Sequence, residues 1–502
     1  MKIVTIAHNA VTAKLVGADR EVKLEVQSCL SYDVEGFAHM TGITGGWDGK
    51  ANFLSFSEGT FPRGFVHYVQ SHLIKCGYKV NIVKKPLPAL LGPENPKVDD
   101  FPEQPRYDYQ RQVVDKLVRH GQIIAQVATG GGKSRIGKIA VARINRPTLF
   151  LTTRGVLMYQ MAKAFKSLGK TVAILGDGNL QISKHVTCGM VQTIIAWLKE
   201  PDPLTDGATQ AKQAQRRAAM IEALSRFEFV ILEEAHEASG NSFYEIMRYC
   251  KNAHYRLALT ATPFMKDSQE ANMRLMASSG PIAIKVSEKT LIDRGILAKP
   301  YFKFVELKVK PPKLYRSTPW QKAYKIGITN NDYRNKLIVV EAARAVKYGL
   351  SVMVLVQQKE HGKILKKMFD SIKLKSDYIF GEDNQANREA CIEKLKSGEL
   401  QVLIGSTILD VGVDVPAVGM VILAGGGKAE VALRQRIGRG LREKLLGLSN
   451  VAFIVDFADS FNDTLKTHYK QRRAIIENTE GFGENIVNDF DYAGCGLVKI
   501  AA

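Results

Sequence analysis

Short apolar runs alternate with helix-forming stretches over most of this chain. Between residues 107 and 286 the runs 148–151, 229–232 and 256–259 recur in this way, and Gln122-Ile123-Ile124-Ala125-Gln126 adds a short buried strand followed by a helix over 135–143. Such alternation predicts a parallel sheet covered by helices. It returns from about residue 335, with strands predicted at 351–356, 401–404, 420–423 and 451–455. Two similar α/β lobes in tandem are therefore expected. Residues 1–90 pattern differently. Residues 50–56 alternate as a strand, and 64–77 carry Phe65, Val69 and Leu73 on one helical face, which predicts a small α+β unit.

Six prolines between Pro86 and Pro105 predict an extended linker. The organisation expected is an accessory unit at 1–90, a proline-rich linker at 91–105, lobe one at 106–286, an inter-lobe connection at 287–334, lobe two at 335–475 and a tail at 476–502. Residues 201–217 are polar enough to predict an exposed insertion loop. Short repeats and low-complexity tracts are absent from the sequence.

The chemistry begins between the strand at 122–126 and the helix after it, where Ala128-Thr129-Gly130-Gly131-Gly132-Lys133-Ser134 stands. Strand, glycine-rich loop and helix are what a phosphate-binding loop needs, because glycines let backbone N–H groups turn toward phosphate oxygens at a helix N-terminus. Lys133 would reach the β and γ phosphates, and the Ser134 hydroxyl would ligate Mg²⁺. The strict pattern has Gly where this chain has Val127, so a plain glycine-rich turn is the competing reading.

Val230-Ile231-Leu232-Glu233-Glu234-Ala235-His236 puts two carboxylates directly after a buried strand, at the sheet edge where α/β proteins bind ligands. One carboxylate would hold Mg²⁺ and the other would orient or deprotonate the attacking water. Gln435-Arg436-Ile437-Gly438-Arg439-Gly440-Leu441-Arg442 spaces three arginines along one helical face. Arg439 and Arg442, offered from a second lobe, would stabilise charge on a departing γ-phosphate.

Charge extends this picture to a partner. The 502 residues carry a net +20, and the excess lies outside residues 1–100, which hold 11 basic and 10 acidic side chains. A basic motor region predicts a polyanionic partner. Six cysteines without a Cys-x-x-Cys pair argue against a zinc site or disulfide framework and predict free thiols in a reducing cytosol. The opening Met1-Lys2-Ile3-Val4-Thr5-Ile6-Ala7 reaches His8-Asn9 too soon for a signal peptide, and no apolar run is long enough for a membrane span. A soluble cytoplasmic protein without membrane contact is expected.

Taken in order, these motifs resemble those of the superfamily-two (DEAD/DEAH-like) helicases. Tyr109-Gln110 resembles the adenine-side Q motif, Ala128 to Ser134 motif one, Thr153-Arg154 through Gln160 motif Ia and Gln192-Thr193 motif Ib. Glu233-Glu234-Ala235-His236 resembles motif two and Leu259-Thr260-Ala261-Thr262-Pro263 motif three. Val354-Leu355-Val356-Gln357 resembles motif four, Ser406-Thr407 through Gly412-Val413-Asp414-Val415-Pro416 motif five, and residues 435–442 motif six.

The resemblance implies two RecA-like lobes, ATP with Mg²⁺ as cofactors, and nucleic acid lying across both lobes. It places Tyr109, Gln110, Thr129, Gly130, Gly131, Gly132, Lys133, Ser134, Gly412 and Asp414 on the nucleotide, and Ser134 and Glu233 on the metal. Lys133, Glu233, Glu234, Arg439 and Arg442 would be catalytic. Thr153, Arg154, Gln192, Thr193, Gln357, Ser406 and Thr407 would hold the phosphate backbone, while His236, Thr260, Thr262 and Gln435 would couple hydrolysis to strand movement. Two departures stand out: motif two begins with Glu233 in place of Asp, and the arginine of the usual Q motif falls at Tyr107, with Arg106 one place early.

A narrower likeness lies in residues 40–83. Gly46-Trp47-Asp48-Gly49-Lys50, Phe61-Pro62-Arg63-Gly64 and Cys76-Gly77-Tyr78-Lys79 resemble the small N-terminal domain of phage recombination and branch-migration helicases. This implies an ATP-dependent DNA helicase or translocase acting on single-stranded, forked and branched DNA in replication, recombination or repair, with recombination or replication proteins as partners and the host cytoplasm as its place. An RNA helicase, a restriction-system motor and an ATP-gated nucleic-acid clamp with weak turnover are the alternatives. Residues 307–325 interleave Lys308, Lys310, Lys313, Arg316, Lys322 and Lys325 with Tyr315, Trp320 and Tyr324, which suits either a backbone-tracking surface or a solvated connection.

Overall fold

Eight strands build the largest sheet in the computed structural model, which describes residues 2–34, 49–99, 104–235, 240–264, 268–380, 385–405, 418–427, 437–438 and 450–500. The described residues form two compact units. One contains Met1–Val127 and Gly132–Val286; the other contains Ser287–Ala502 with the four loop residues Ala128–Gly131.

In the first unit the sheet order is Asn179–Leu180, Val172–Gly176, Val186–Met190, Thr148–Thr152, Phe229–Glu233, Tyr255–Thr260, Gln122–Val127 and Ile282–Val286. Every pairing is parallel except that of the short first strand with the second. Phe229–Glu233 and Tyr255–Thr260 are buried at every position, as central strands covered on both faces must be. The expected strands are present, and each runs a residue or so beyond its apolar run.

The polar stretch expected as an insertion loop becomes helical from its seventh residue. Gly207–Ser225 is an α-helix, capped by Asp206, whose side chain accepts from the Thr209 N–H. Its alanines, glutamines and basic residues are strong helix formers, and only Met220, Ala223 and Leu224 are buried, so helix propensity outweighs polarity here.

Residues 1–84 contribute a four-stranded sheet of order Thr60–Pro62, Thr12–Val16, Ile3–His8 and Lys79–Lys84, with helices Arg20–Leu30 and Val66–Lys75. Phe65, Val69 and Leu73 are fully buried on the expected face, whereas the strand expected over 50–56 shortens to Lys50–Asn52. This layer is not separate from the large sheet's layer. Met273 and Ala277, on helix Gln269–Ser279, lie in the same apolar core as Val4, Ile6, Phe61 and Phe65. Phe53 meets Tyr244 edge-on at 5.6 Å. Gly64 lies so near the Met276 carbonyl that a Cβ would come within 2.0 Å of its oxygen. Arg63, buried, donates to the carbonyls of His254 and His120, and Gln122 Nε2 donates to Ala10 O at 2.7 Å.

The described residues of the proline-rich segment form no helix or strand before Pro105, but they are strapped down. The N–H groups of Leu91 and Gly92 donate to Ile144 O and Arg143 O, and Asp99 pairs with Arg135 and Lys138. Removing residues 1–90 would uncover the shared core at a cost of roughly 1.5–3 kcal/mol for each large apolar side chain exposed. The truncated chain is therefore expected to melt at a lower temperature than the full chain; an unchanged calorimetric transition would show that the shared core contributes nothing.

The second unit has a six-stranded, all-parallel sheet of order Lys299–Glu306, Val451–Ala458, Met420–Ile422, Val352–Leu355, Val402–Gly405 and Ser376–Ile379. Its edge strand comes from the segment expected as connection. Pro300, Phe302 and Val305 are buried, while Lys299 and Lys303 give the segment its linker-like charge. Phe490 and Tyr492, in the expected tail, are buried in the core of this unit. In the interleaved basic–aromatic stretch the aromatic residues divide. Tyr324 is buried and donates to Gly425 O at 2.6 Å, Trp320 packs on His468, and Tyr315 stays exposed beneath Lys310.

Candidate nucleotide and nucleic-acid site

The C-terminal edge of the first sheet collects the residues singled out for chemistry. Strand Gln122–Val127 runs into the glycine loop, and helix Lys133–Ile144 leaves it. Gly130 and Gly132 have φ of 87° and 77°, a region that L side chains enter at a cost, and Gly131 N–H donates to Ala128 O. The left-handed Gly132 is the helix cap and offers no side chain, so the first-turn N–H groups have no side-chain cap. That arrangement suits an anion.

Gln110, buried on helix Asp108–His120, lies against this turn: a Cβ on Gly132 would come within 2.4 Å of its Nε2. Arg135 Nη1 donates to Gln110 Oε1 at 2.7 Å, and Asp99 holds Arg135 at 3.1 Å. A continuous chain Asp99–Arg135–Gln110 thus supports the loop from the proline-rich strap. Arg135 and Asp99 were not legible as site residues, because Asp99 stands in a stretch that reads as linker. Tyr109 is buried beside Gln110 in the sequence, and Arg106 stacks over Tyr107 at 5.0 Å.

The strand Phe229–Glu233 ends next to Tyr255–Thr260, which in turn neighbours the loop's own strand. This order brings the glutamates to the lysine. Lys133 Nζ lies 3.7 Å from Glu234 Oε1, with both side chains largely buried. Glu234 has φ of 49°, unusual for a residue with a Cβ, at the turn where the chain leaves the strand. Glu233 is buried. Desolvation pushes its carboxyl well above the ordinary carboxylate range; Lys133 opposes this and Glu234 adds to it. Its Oε2 has no hydrogen-bond partner among the described residues.

A buried, unsatisfied carboxylate oxygen beside a second carboxylate fits a divalent cation, whose charge would hold Glu233 ionised. Glu233 and the exposed Ser134 hydroxyl, in the first turn of the loop's helix, would hold Mg²⁺. The ion would neutralise phosphate charge. The extra methylene of Glu233, relative to the usual aspartate, changes the reach of the carboxylate and not its chemistry.

Thr262 N–H donates to Thr260 Oγ1 at 3.2 Å, while Thr262 Oγ1 is buried without a partner among the described residues. Gln126 Nε2, on the loop's strand, donates to Ala261 O and ties this turn to that strand. Further along the same edge, Thr153 and Arg154 follow strand Thr148–Thr152, and Gln192 and Thr193 open helix Val191–Leu198 after the adjacent strand. Gln192 Nε2 donates to Thr153 O at 3.1 Å, so the two expected backbone-contact pairs meet.

In the second unit Gln357 follows strand Val352–Leu355 and donates to Gly426 O. His236, Ser406, Thr407, Gly412, Asp414, Gln435, Arg439 and Arg442 lie outside the described residues, as do Gly46, Trp47 and Asp48.

Residues 104–265 match the family model described as type III restriction enzyme, res subunit, and residues 335–444 match the helicase conserved C-terminal domain. The chain is similar to the ATP-dependent DNA helicase uvsW of Enterobacteria phage T4, with 23% identity over 467 residues, which cover 87% of this chain and 86% of that protein. It is also 24% identical over 370 residues to the DNA 3'-5' translocase XPB2 of Sulfurisphaera tokodaii, covering 67% of this chain and 78% of that one. Among solved structures, the DUF1998 helicase MrfA bound to DNA shares the fold at a TM-score of 0.53 and 13% identity, over 78% of this chain and 53% of that chain. Among the described residues, no helix is long and apolar enough to cross a membrane. A phosphate-loop lobe followed by a helicase C-terminal domain is the arrangement of one group of motors, and the chain belongs to it: the superfamily-two ATP-dependent helicases.

Proposed function

We propose that this helicase acts on DNA, and that it unwinds or branch-migrates forked and junction DNA in phage replication, recombination or repair. The observation that carries this reading is the length of the likeness to the T4 DNA helicase. At 467 residues, it is longer than the stretch the motor motifs occupy and so reaches beyond the motor. The net charge of +20 favours a polyanionic partner, and in this reading Thr153, Arg154, Gln192 and Thr193, at the C-terminal edge of the sheet, hold its phosphate backbone.

Lys133 and Ser134 cradle ATP and its Mg²⁺ in this reading, Glu233 holds the ion and Glu234 directs water. In the same reading Thr260 and Thr262, at the end of the strand Tyr255–Thr260 and just after it, couple hydrolysis to strand movement. Residues 1–100 carry nearly balanced charge, so their unit adds little non-specific phosphate affinity and contributes shape recognition of a junction. Recombination or replication proteins would be partners, and a phage origin would place the protein in the host cytoplasm.

The test is one panel on the full chain: ATP hydrolysis and strand separation with matched single-stranded DNA, duplex, fork, four-way junction and RNA. Fork and junction should be processed faster than blunt duplex, with RNA a poor stimulant. Equal stimulation by RNA would replace this reading with an RNA helicase, and absence of hydrolysis on every substrate would leave an ATP-gated clamp. A restriction-system motor is the second reading, favoured by the match of residues 104–265 to the restriction res subunit. It requires duplex-stimulated hydrolysis without strand separation.

A further inference from the structure

The helices Arg20–Leu30 and Val66–Lys75 pack through Val22, Val26, Leu30, Val66, Val69 and Leu73, and at their edge three side chains of different chemistry converge. His72 Nε2 is 3.4 Å from Glu25 Oε2. Cys76 Sγ is 3.6 Å from the same carboxylate oxygen and 3.7 Å from His72 Nε2. His72 and Cys76 are four residues apart, one at the end of the helix and one at its cap, so a single turn aims both at the neighbouring helix.

An ion pair would need only Glu25 and His72. The thiol, nearly equidistant from both, closes a triangle whose sides match the edge of a coordination tetrahedron, about 3.3–3.7 Å for Zn–N, Zn–O and Zn–S bonds of about 2.0–2.3 Å. We propose that Glu25, His72 and Cys76 form a site for Zn²⁺, with solvent at the fourth corner. One nitrogen, one oxygen and one sulfur are a borderline-soft set that favours Zn²⁺ or Co²⁺ over Mg²⁺. Binding replaces the thiol proton, which passes to solvent, with a metal–sulfur bond and joins the two helices covalently in all but name. The absence of a Cys-x-x-Cys pair hides this site from the sequence, since its ligands come from positions 25, 72 and 76 and meet only when the helices pack.

The full chain, reduced and metal-free, is titrated with Co²⁺ while the near-ultraviolet thiolate charge-transfer band is followed, and its melting temperature is compared in Zn²⁺ and in chelator. One saturating equivalent with a thiolate band, displaced by Zn²⁺ in the presence of excess Mg²⁺, is the expected result. Cys76→Ser should lose the band, and Cys76→Ser, His72→Ala and Glu25→Gln should each lose the Zn²⁺-dependent rise in melting temperature while melting like the parent in chelator. Cys29→Ser, one turn along the helix from Glu25, should keep both signals. Absence of saturable binding, a band that survives Cys76→Ser, or one lost equally in Cys29→Ser would overturn the assignment.

Discussion

Lys133→Ala is expected to reduce ATP hydrolysis by at least about 10²–10³-fold, the loss that follows when one preorganised positive group is removed from a phosphoryl-transfer site. The ammonium sits at the mouth of the glycine loop and is already turned toward Glu234, 3.7 Å away in a largely buried setting. Its charge would offset phosphate charge both in the bound state and as the γ-phosphoryl group departs, so affinity and turnover should fall together. Glu234→Gln separates those effects. Glutamine keeps the size and a polar contact to Lys133 but cannot accept a proton from water, so ATP should still bind while hydrolysis falls by about 10²–10⁴-fold, the range of general-base contributions. Steady-state hydrolysis and nucleotide binding, measured on both variants, check the pair. Wild-type turnover in Lys133→Ala removes the loop from the mechanism; normal hydrolysis in Glu234→Gln means that Glu234 is not the residue that directs water.

The motor's architecture was legible because its signals are local. A buried strand, three glycines and Lys133 occupy consecutive positions, and Phe229–Glu233 is apolar until the residue that matters. What escaped depends on faces and partners far away in sequence. Strand Lys299–Glu306 read as connection because Lys299, Lys303 and Glu306 interrupt its apolar positions, although Lys303 is largely buried against Glu341 and Asp489 while Pro300, Phe302 and Val305 are buried. The helix Gly207–Ser225 lacks a broad apolar face, so periodicity had nothing to register, and propensity with an Asp206 cap decided the outcome.

The first-lobe strap escaped for another reason. Prolines disfavour regular structure but say nothing about whether the chain's N–H groups find acceptors, as those of Leu91 and Gly92 do. Likewise the shared core of residues 1–84 and helix Gln269–Ser279 pairs positions about 200 residues apart, and no local pattern encodes that. The site followed the same rule. Glu233 and Lys133 were legible from their motifs, whereas Arg135, which holds Gln110 against Gly132, has meaning only through Asp99 and Gln110.

Arg439→Ala or Arg442→Ala is expected to lower turnover by about 10³-fold with a smaller effect on ATP affinity, as loss of an arginine that stabilises transition-state charge does in other phosphoryl-transfer motors. Both arginines lie outside the described residues; among the described ones, residues 424–427 follow the strand Met420–Ile422. Four successive carbonyls are each held by a different side chain. Arg334 donates to Ala424 O at 2.7 Å, Tyr324 to Gly425 O at 2.6 Å, Gln357 to Gly426 O at 3.2 Å and Arg472 to Gly427 O at 2.9 Å. Arg334 and Arg472 are themselves locked to Asp459 and Asp456 by buried ion pairs, whose rupture leaves a carboxylate buried without its counter-charge. Ile437, two positions before Arg439, is fully buried as well. Preorganisation is what makes a guanidinium group effective in the transition state. Single-turnover hydrolysis and ATP binding, measured on each variant, decide the role: lost affinity with unchanged turnover would make Arg439 and Arg442 phosphate anchors and remove them from the chemistry.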